Sequence, residues 1–283
     1  MTKIKLAGVP EHFNFPWIQA IQSGLFRQHG LEINWTDVPE GTGKLCQLLR
    51  EGSADVAIVL TEGILKDISL GNPSVIVQKF VESPLLWGIH VSAASPYYQL
   101  ADLQHKKAAI SRIGSGSQLM TYVNAQNQGW DSQIEFEIVH TIEGAVEALT
   151  KQQADYFMWE HFMTKPLVDQ GIFRNLADCP TPWPCFVIAV RQDFLAQEPK
   201  AIRLLLEIIN SQTHIFKKQQ QLAETLAQAY NQKTEDIETW LTKTTWSQHN
   251  FTPTEFDAIQ NQLRALGIVA TSLEYSTTIV PAI

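Results

Sequence analysis

The chain has 283 residues, a mass of 31.9 kDa and a formal net charge of −8, with 45% hydrophobic and 18% charged residues. These values exclude a disordered chain, and the acidic balance excludes a protein that binds nucleic acid through a basic face. The length favours two lobes over one domain, and no apolar run approaches the roughly 18 residues that a membrane-spanning helix needs.

Strand and helix patterns alternate over the first part of the chain. The predicted strands cover residues 3–9, 31–38, 55–60 and 74–80, and the predicted helices cover residues 16–29 and 41–51. The run at 55–60 is almost continuously apolar, which is typical of a parallel strand buried on both faces. This βαβ order predicts a doubly wound α/β layer architecture.

The middle of the chain repeats this order, and the last part is helical. Strands are predicted at residues 107–111, 135–140, 156–159 and 186–190, and helices at 117–127, 142–152 and 161–170. The remaining predicted helices cover residues 199–218, 221–230, 234–243 and 253–266. Pro199 and Pro253 stand at helix starts, where the fixed φ of proline suits the first turn.

Two segments are predicted to cross between the lobes. They are residues 81–91 and residues 179–185, of which the second has three prolines in seven residues. The first lobe is therefore predicted to comprise 1–88 plus 187–283, with the helical tail, and the second lobe 89–186. Such an insertion predicts a hinge and a cleft between the lobes. A single large open sheet with a helical tail is the alternative.

The N-terminal residues and the cysteines predict the compartment. The first residues alternate polar and apolar side chains and lack the apolar core of a signal peptide, which predicts a cytoplasmic protein. Cys46, Cys179 and Cys185 are scattered, so buried structural thiols are favoured over a redox or metal role. No metal site and no cofactor are predicted.

The candidate ligand-binding residues lie in loops that follow predicted strands and in the two crossings, because ligands of open α/β sheets bind beyond the carboxyl ends of strands. These candidates are Glu11, His12, Asn14, Gly41, Thr42, Thr61, Glu62, Trp87, Arg112, Ser115, Gly116, Ser117, Trp159, Glu160 and Trp183.

The segment 111–117, Ser-Arg-Ile-Gly-Ser-Gly-Ser, is the sharpest local signal. Its glycines permit close backbone approach, and N–H groups at a helix start suit an anionic or carbonyl oxygen. Arg112 adds a charge-assisted hydrogen bond to such a group. An ordinary serine N-cap with glycine turns explains the same residues equally well.

Aromatic side chains stand near both predicted crossings. Trp87, Trp159 and Trp183 are placed to sandwich a flat ring, and core packing at a hinge is the alternative.

Carboxylates and one histidine stand in the same loops. Glu11, Glu62 and Glu160 would bind an amine or an aminoheterocycle if they converge, and solvated loop carboxylates are the alternative. His12 is favoured as a hydrogen-bonding or structural residue over an acid–base group, and the sequence contains no catalytic motif.

The order of these features resembles the type II periplasmic-binding-protein superfamily. The sequence Gly-Leu-Phe at 24–26, His-Gly-Leu-Glu at 29–32 and Gly-Ser-Ala-Asp-Val-Ala at 52–57 carry this resemblance, which covers about residues 3–195. Within the superfamily, the chain resembles the sulfonate-, nitrate- and thiamine-precursor-binding branch, which includes the yeast-type pyrimidine synthases. It is also similar to a small set of leaderless cytosolic proteins of fungi and bacteria. Segment 111–117 resembles the ligand loop in the second lobe of that branch.

The resemblance implies an α/β, two-lobed, type II periplasmic-binding-protein-like fold with a helical C-terminal tail. It implies a solute-binding protein that holds a small polar, anionic or heteroaromatic metabolite in an interlobe cleft, with a permease or a regulatory protein as partner. A cytosolic enzyme acting on a thiamine-precursor or menaquinone-pathway metabolite is the alternative, with His12 or Glu62 as its protonatable group. The cysteine-rich iron-binding segment of the pyrimidine synthases is not found here, which favours binding.

Overall fold

Two five-stranded sheets carry the fold, one in each of two units of the chain. The computed structural model describes residues 1–131 and 133–281, so the last two residues of the predicted first lobe lie outside it. The first unit comprises Met1–Ser83 and Trp183–Ile283, and the second comprises Pro84–Pro182.

Ten strands form the sheets in the described part of the chain. They are β1 (Thr2–Gly8), β2 (Leu31–Asp37), β3 (Val56–Leu60), β4 (Ser74–Val81), β5 (Leu86–Ser92), β6 (Ala108–Ile110), β7 (Phe136–Ile138), β8 (Tyr156–Glu160), β9 (Phe173–Pro180) and β10 (Phe186–Arg191). The strand order is β2-β1-β3-β10-β4 in the first unit and β7-β6-β8-β5-β9 in the second. β10 and β5 each run antiparallel to both neighbours, so both sheets are mixed.

Thirteen α-helices are present among the described residues. They are α1 (Phe15–Gln22), α2 (Leu25–Gln28), α3 (Thr42–Arg50), α4 (Thr61–Ser69), α5 (Gly116–Gln128), α6 (Ile142–Thr150), α7 (His161–Asp169), α8 (Gln192–Gln197), α9 (Pro199–Phe216), α10 (Leu222–Tyr230), α11 (Thr234–Lys243), α12 (Pro253–Ala265) and α13 (Tyr275–Thr278). Short 3-10 helices cover His12–Asn14 and Leu100–Leu103. No helix described here is long and apolar enough to cross a membrane.

Three elements differ from those predicted. The helix predicted at 16–29 is two helices, because Gly24 adopts a φ of 72° between α1 and α2 and ends the regular hydrogen bonding. The predicted crossing at 81–91 contains β5, whose residues pair with β8 and β9 in the second sheet. Residues 61–63, for which the sequence predicts a loop after the strand at 55–60, begin helix α4.

The unit boundaries lie a few residues before the predicted ones. Trp87 is in β5 and therefore in the second unit, whereas the sequence assigned residues 84–88 to the first lobe. Trp183 and Cys185 belong to the first unit, whereas the sequence assigned them to the second lobe. The reason is local hydrogen bonding, since the Thr61 hydroxyl donates to the Pro184 carbonyl at 2.5 Å.

Both units contain the same local arrangement of a tight turn, an aspartate and a strand. Asp55 accepts a hydrogen bond from the Lys5 N–H at 2.9 Å, and Asp155 accepts one from the Lys107 N–H at 2.9 Å. The turn before each aspartate contains a left-handed residue, Gly52 in the first unit and Gln152 in the second. These bonds fix the start of β3 against β1 and the start of β8 against β6.

Candidate functional site

The candidates of the first unit lie along one edge of its sheet. β1 and β3 run parallel and end at Gly8 and Leu60, and β10 begins at Phe186, which pairs with Leu60. The segments after β1, β2 and β3 and the segment before β10 therefore meet at this carboxyl edge. It carries Glu11, His12, Asn14, Gly41, Thr42, Thr61, Glu62 and Trp183.

Glu62 is a buried carboxyl group in the first turn of α4. Glu62 is only 3% exposed, and its Oε2 accepts a hydrogen bond from the Trp183 Nε1–H at 2.8 Å. Its Oε1 has no hydrogen-bond partner among the described residues. Burial raises the pKa of Glu62 to about 7, although hydrogen bonds from its own backbone N–H and from Trp183 act in the opposite direction.

His12 lies inside an aromatic cluster that includes the C-terminal helices. Its residue is fully buried, and its ring centroid lies 4.4 Å from that of Trp240 and 5.3 Å from that of Tyr230. Burial lowers the pKa of His12 to about 3, although the Gln232 side chain opposes this effect. The imidazole is therefore neutral at pH 7 and out of contact with solvent. This environment suits a structural role rather than acid–base catalysis.

Glu11 and Asn14 flank His12 in the same loop. Glu11 is half-buried, and burial raises its pKa to about 7. The Asn14 Nδ2–H donates to the Val9 carbonyl at 2.8 Å and fixes the turn after β1. The side chain of Tyr230, in α10, lies close enough for Glu11 and Asp37 to raise its pKa, with burial as the larger cause. Tyr230 was not among the sequence candidates, since it follows no strand.

Gly41 and Thr42 form the start of α3. Gly41 has a φ of 78°, which glycine adopts without strain, and it precedes the first turn. A Cβ atom on Gly63 would lie 2.1 Å from the Thr42 Cγ2. The first turns of α3 and α4 are therefore in close contact, and this contact brings Thr42 beside the loop that carries Glu62.

The candidates of the second unit lie along the equivalent edge of its sheet. β6, β7 and β8 run parallel and end at this edge, and β5 begins there, with Trp87 paired to Glu160. Trp87, Arg112, Ser115, Gly116, Ser117, Trp159 and Glu160 all belong to this edge.

The serine hydroxyls of segment 111–117 mostly bond to the segment itself. The Ser117 Oγ accepts a hydrogen bond from the Ser111 N–H and lies 3.0 Å from the Ser115 Oγ. Ser115 is the N-cap of α5, where its hydroxyl oxygen accepts from the Gln118 N–H at 3.4 Å. These bonds fix the turn, as the N-cap interpretation predicted.

The same turn leaves donors available to a ligand. The backbone N–H groups of Gly116 and Ser117, in the first turn of α5, have no acceptor in the described part of the chain. The half-buried Arg112 guanidinium likewise makes no ion pair with any described residue. Two backbone donors, the positive end of a helix dipole and a cation thus stand within six residues, which suits an anionic group.

The tryptophans and Glu160 are held by protein contacts. Trp87 is 5% exposed, its ring centroid lies 6.3 Å from that of Trp159, and its Nε1 has no partner in the residues described. Trp159 stacks on Phe157 at 5.4 Å. Trp183 is 2% exposed in the first unit. Glu160 caps α7, since its Oε2 accepts from the Met163 N–H at 2.7 Å.

No group of three potential metal-ligating side chains is found within residues 1–131 and 133–281. Cys46, Cys179 and Cys185 are buried thiols. Burial raises the pKa of Cys179 to about 11, which disfavours the thiolate that redox chemistry and metal binding need.

The two mixed α/β sheets and the helical C-terminal region define the type II periplasmic-binding-protein fold, and the resemblance to that superfamily is confirmed. Residues 87–179 match the family model described as Ca3427-like PBP.

Three solved structures show the range of this similarity. The Candida albicans CA3427 gene product, described as defining a new family with the generic periplasmic-binding-protein fold, is 26% identical, with a TM-score of 0.92 over 99% of this chain and 96% of that one. The alkanesulfonate-binding protein SsuA from Xanthomonas axonopodis pv. citri, bound to MOPS, is 16% identical, with a TM-score of 0.83 and 99% of each chain covered.

The nitrate-binding protein NrtA from Synechocystis PCC 6803 is 18% identical, with a TM-score of 0.63 over 84% of this chain and 69% of that one. None of the curated protein sequences matches the chain at a significant level.

Proposed function

We propose that this chain is a solute-binding protein whose ligand is a small polar molecule, anionic or heteroaromatic. The observation that carries this proposal is the set of available donors at the start of α5, where Arg112 and two backbone N–H groups lack acceptors among the described residues. Charge-assisted hydrogen bonds contribute about 1.5–3 kcal/mol each, so an anionic group bound here gains a large part of its affinity from this turn.

The structural relatives support a binding role over other roles. SsuA and NrtA are named for binding an alkanesulfonate and nitrate, and a Staphylococcus aureus relative is described as the ligand-binding component of an ABC-type import system. A permease is therefore the proposed partner class. The cytoplasmic location, and one ligand contacting both sheet edges at once, remain predictions from the sequence.

Calorimetric titration with alkylsulfonates, nitrate, carboxylates and aminopyrimidines tests the proposal. For the solute that binds, Arg112→Ala combined with Ser117→Ala should weaken affinity by at least about tenfold, or about 1.4 kcal/mol, because both the cation and the support of the turn are lost. Arg27→Ala, which removes an exposed cation from α2, is the matched control and should bind as the wild type does. Equal affinities for the two variants would show that the anchor is elsewhere.

An enzyme acting on a thiamine-precursor or menaquinone-pathway metabolite is the second candidate function. One observation favours it, namely the pKa of about 7 at Glu62, which suits a general acid or base near neutral pH. Incubation with candidate metabolites and mass spectrometry of the small molecules separates the two functions. A binding protein returns its ligand unchanged, whereas an enzyme converts it and loses this turnover in Glu62→Gln.

A further inference from the structure

A groove lies on the flank of the first unit, between the end of α9 and the segment 245–249. Its volume is about 430 Å³. The segment runs beside β4, where the Ser247 N–H donates to the Phe80 carbonyl at 2.9 Å and the Lys79 N–H donates to the His249 carbonyl at 2.9 Å. The Gln248 Nε2–H donates to the Asn210 carbonyl of α9 at 3.0 Å, so both walls of the groove are fixed.

Four basic side chains line this groove in a chain whose net charge is −8. They are His214, Lys217, Lys218 and His249. None of the four has an ion pair with any residue that the structure describes. The acidic side chain of the lining is Glu82, which is already paired with the Lys79 Nζ at 3.2 Å.

The four basic side chains of this lining are exposed. Nearby protein atoms desolvate the Lys217 amine enough to lower its pKa, and no carboxylate offsets this effect. The carboxyl end of α9 carries partial negative charge, which accounts for some attraction of cations to the last turn. The dipole of α9 acts on residues in its own last turn. It does not explain why His249, on the opposite wall, also lines the groove.

Trp246, whose ring is fixed by its neighbours, also lines the groove. The Trp246 ring packs edge-on against Phe216 at 5.0 Å and against Trp240 at 5.7 Å, and its Nε1–H donates to the Phe13 carbonyl at 3.2 Å. Trp246 is half-buried and is one of the residues that line the groove. The face of an indole ring can stack on a planar base, and basic side chains beside it can neutralise phosphate oxygens.

We propose that this groove is a second binding site of the chain, which takes a nucleoside phosphate. The volume is within the range of sites for small ligands, and it exceeds what a lone phosphate fills. The base would lie against Trp246, and the phosphates would lie between Lys217, Lys218 and the two histidines. This site does not depend on the solute bound at the sheet edges.

Calorimetric titration of the full chain with ATP, tripolyphosphate and adenosine tests this proposal in Mg²⁺-free buffer of low salt. ATP should bind one to one, at least about threefold more tightly than tripolyphosphate, and adenosine alone should not bind measurably. Lys217→Ala combined with Lys218→Ala should weaken ATP binding at least tenfold. Lys3→Ala combined with Lys200→Ala removes the same charge from exposed positions and should change it less than twofold.

Neither control lysine is among the residues that line the groove. Lys200 stands in the first turn of α9, about 25 Å from the last turn of that helix. Arg112→Ala combined with Ser117→Ala should keep ATP binding, which separates this proposal from the solute site. No ATP binding, equal affinity for tripolyphosphate and ATP, or equal losses in the two lysine double variants would overturn the proposal.

Discussion

At the scale of single residues, Glu62 and His12 are two buried titratable side chains whose partners come from distant parts of the chain. The position of Glu62 directly after an apolar strand identifies it as a candidate, but its hydrogen-bond partner Trp183 is distant in sequence. No pattern near Glu62 reveals that contact. His12 is similar, because the aromatic cluster that buries it is completed by Tyr230 and Trp240 from the helical tail.

The raised pKa of Glu62 predicts a pH-dependent stability. The native pKa of about 7 exceeds the ordinary value of 4.5, so between these two pH values the carboxyl group ionises in the unfolded chain while it stays protonated in the native state. The native state therefore loses stability from pH 4.5 to about 7, the loss is complete above pH 7, and it is absent below pH 4.5. Glu62→Gln should therefore be more stable than the wild type at pH 8, by about 2–4 kcal/mol, and close to it at pH 4.5.

Urea denaturation of both proteins across this pH range checks the prediction, with the exposed Glu224→Gln of α10 as the control substitution. A stability difference between Glu62→Gln and the wild type that stays constant with pH would show that the carboxyl group does not titrate as the structure requires.

At the scale of elements, continuous apolar runs and glycine positions predict most of the strands and helices. β3 and β10 read as buried strands because nearly every side chain in them is apolar, and both are buried. β9 is not predicted because Arg174, Asn175 and Asp178 interrupt its apolar residues, and buried and exposed residues do not alternate along it. The sequence predicts one helix in place of α1 and α2 because the apolar spacing continues through Gly24 into α2.

Each unit has a turn of the same kind before its aspartate, and substitutions in the two turns should have opposite effects on stability. Gln152 has a φ of 57°, which costs an L-residue energy that glycine avoids, so Gln152→Gly should stabilise the chain by about 0.5–1 kcal/mol. Gly52 has a φ of 70°, and a Cβ there would lie 2.5 Å from the Arg191 Nη1, so Gly52→Ala should destabilise it by about 1–2 kcal/mol.

Thermal denaturation of both variants at one pH measures these effects, and each serves as the other's control because the turns are equivalent. A lower melting temperature for Gln152→Gly than for the wild type would contradict the backbone argument.

At the scale of the whole molecule, the order of elements predicts a chain that leaves its first unit and returns to it. The resemblance to type II periplasmic-binding proteins follows from the same order, and the structural comparisons confirm it. The unit boundaries depend on a few hydrogen bonds around 84–86 and 183–185, which the sequence does not specify. The helical tail places Tyr230 and Trp240 against His12 at the edge of the first sheet. This contact also depends on tertiary packing, which the sequence does not specify.

Native mass spectrometry of the freshly purified chain, before and after incubation with the solute panel, tests the binding role most directly. We expect a one-to-one complex with a small molecule that is released chemically unchanged. Arg112→Ala combined with Ser117→Ala should lose this complex, and Arg27→Ala should retain it. The absence of a complex with every member of the panel, or the release of an altered molecule, would show that the chain is not a solute-binding protein of this kind.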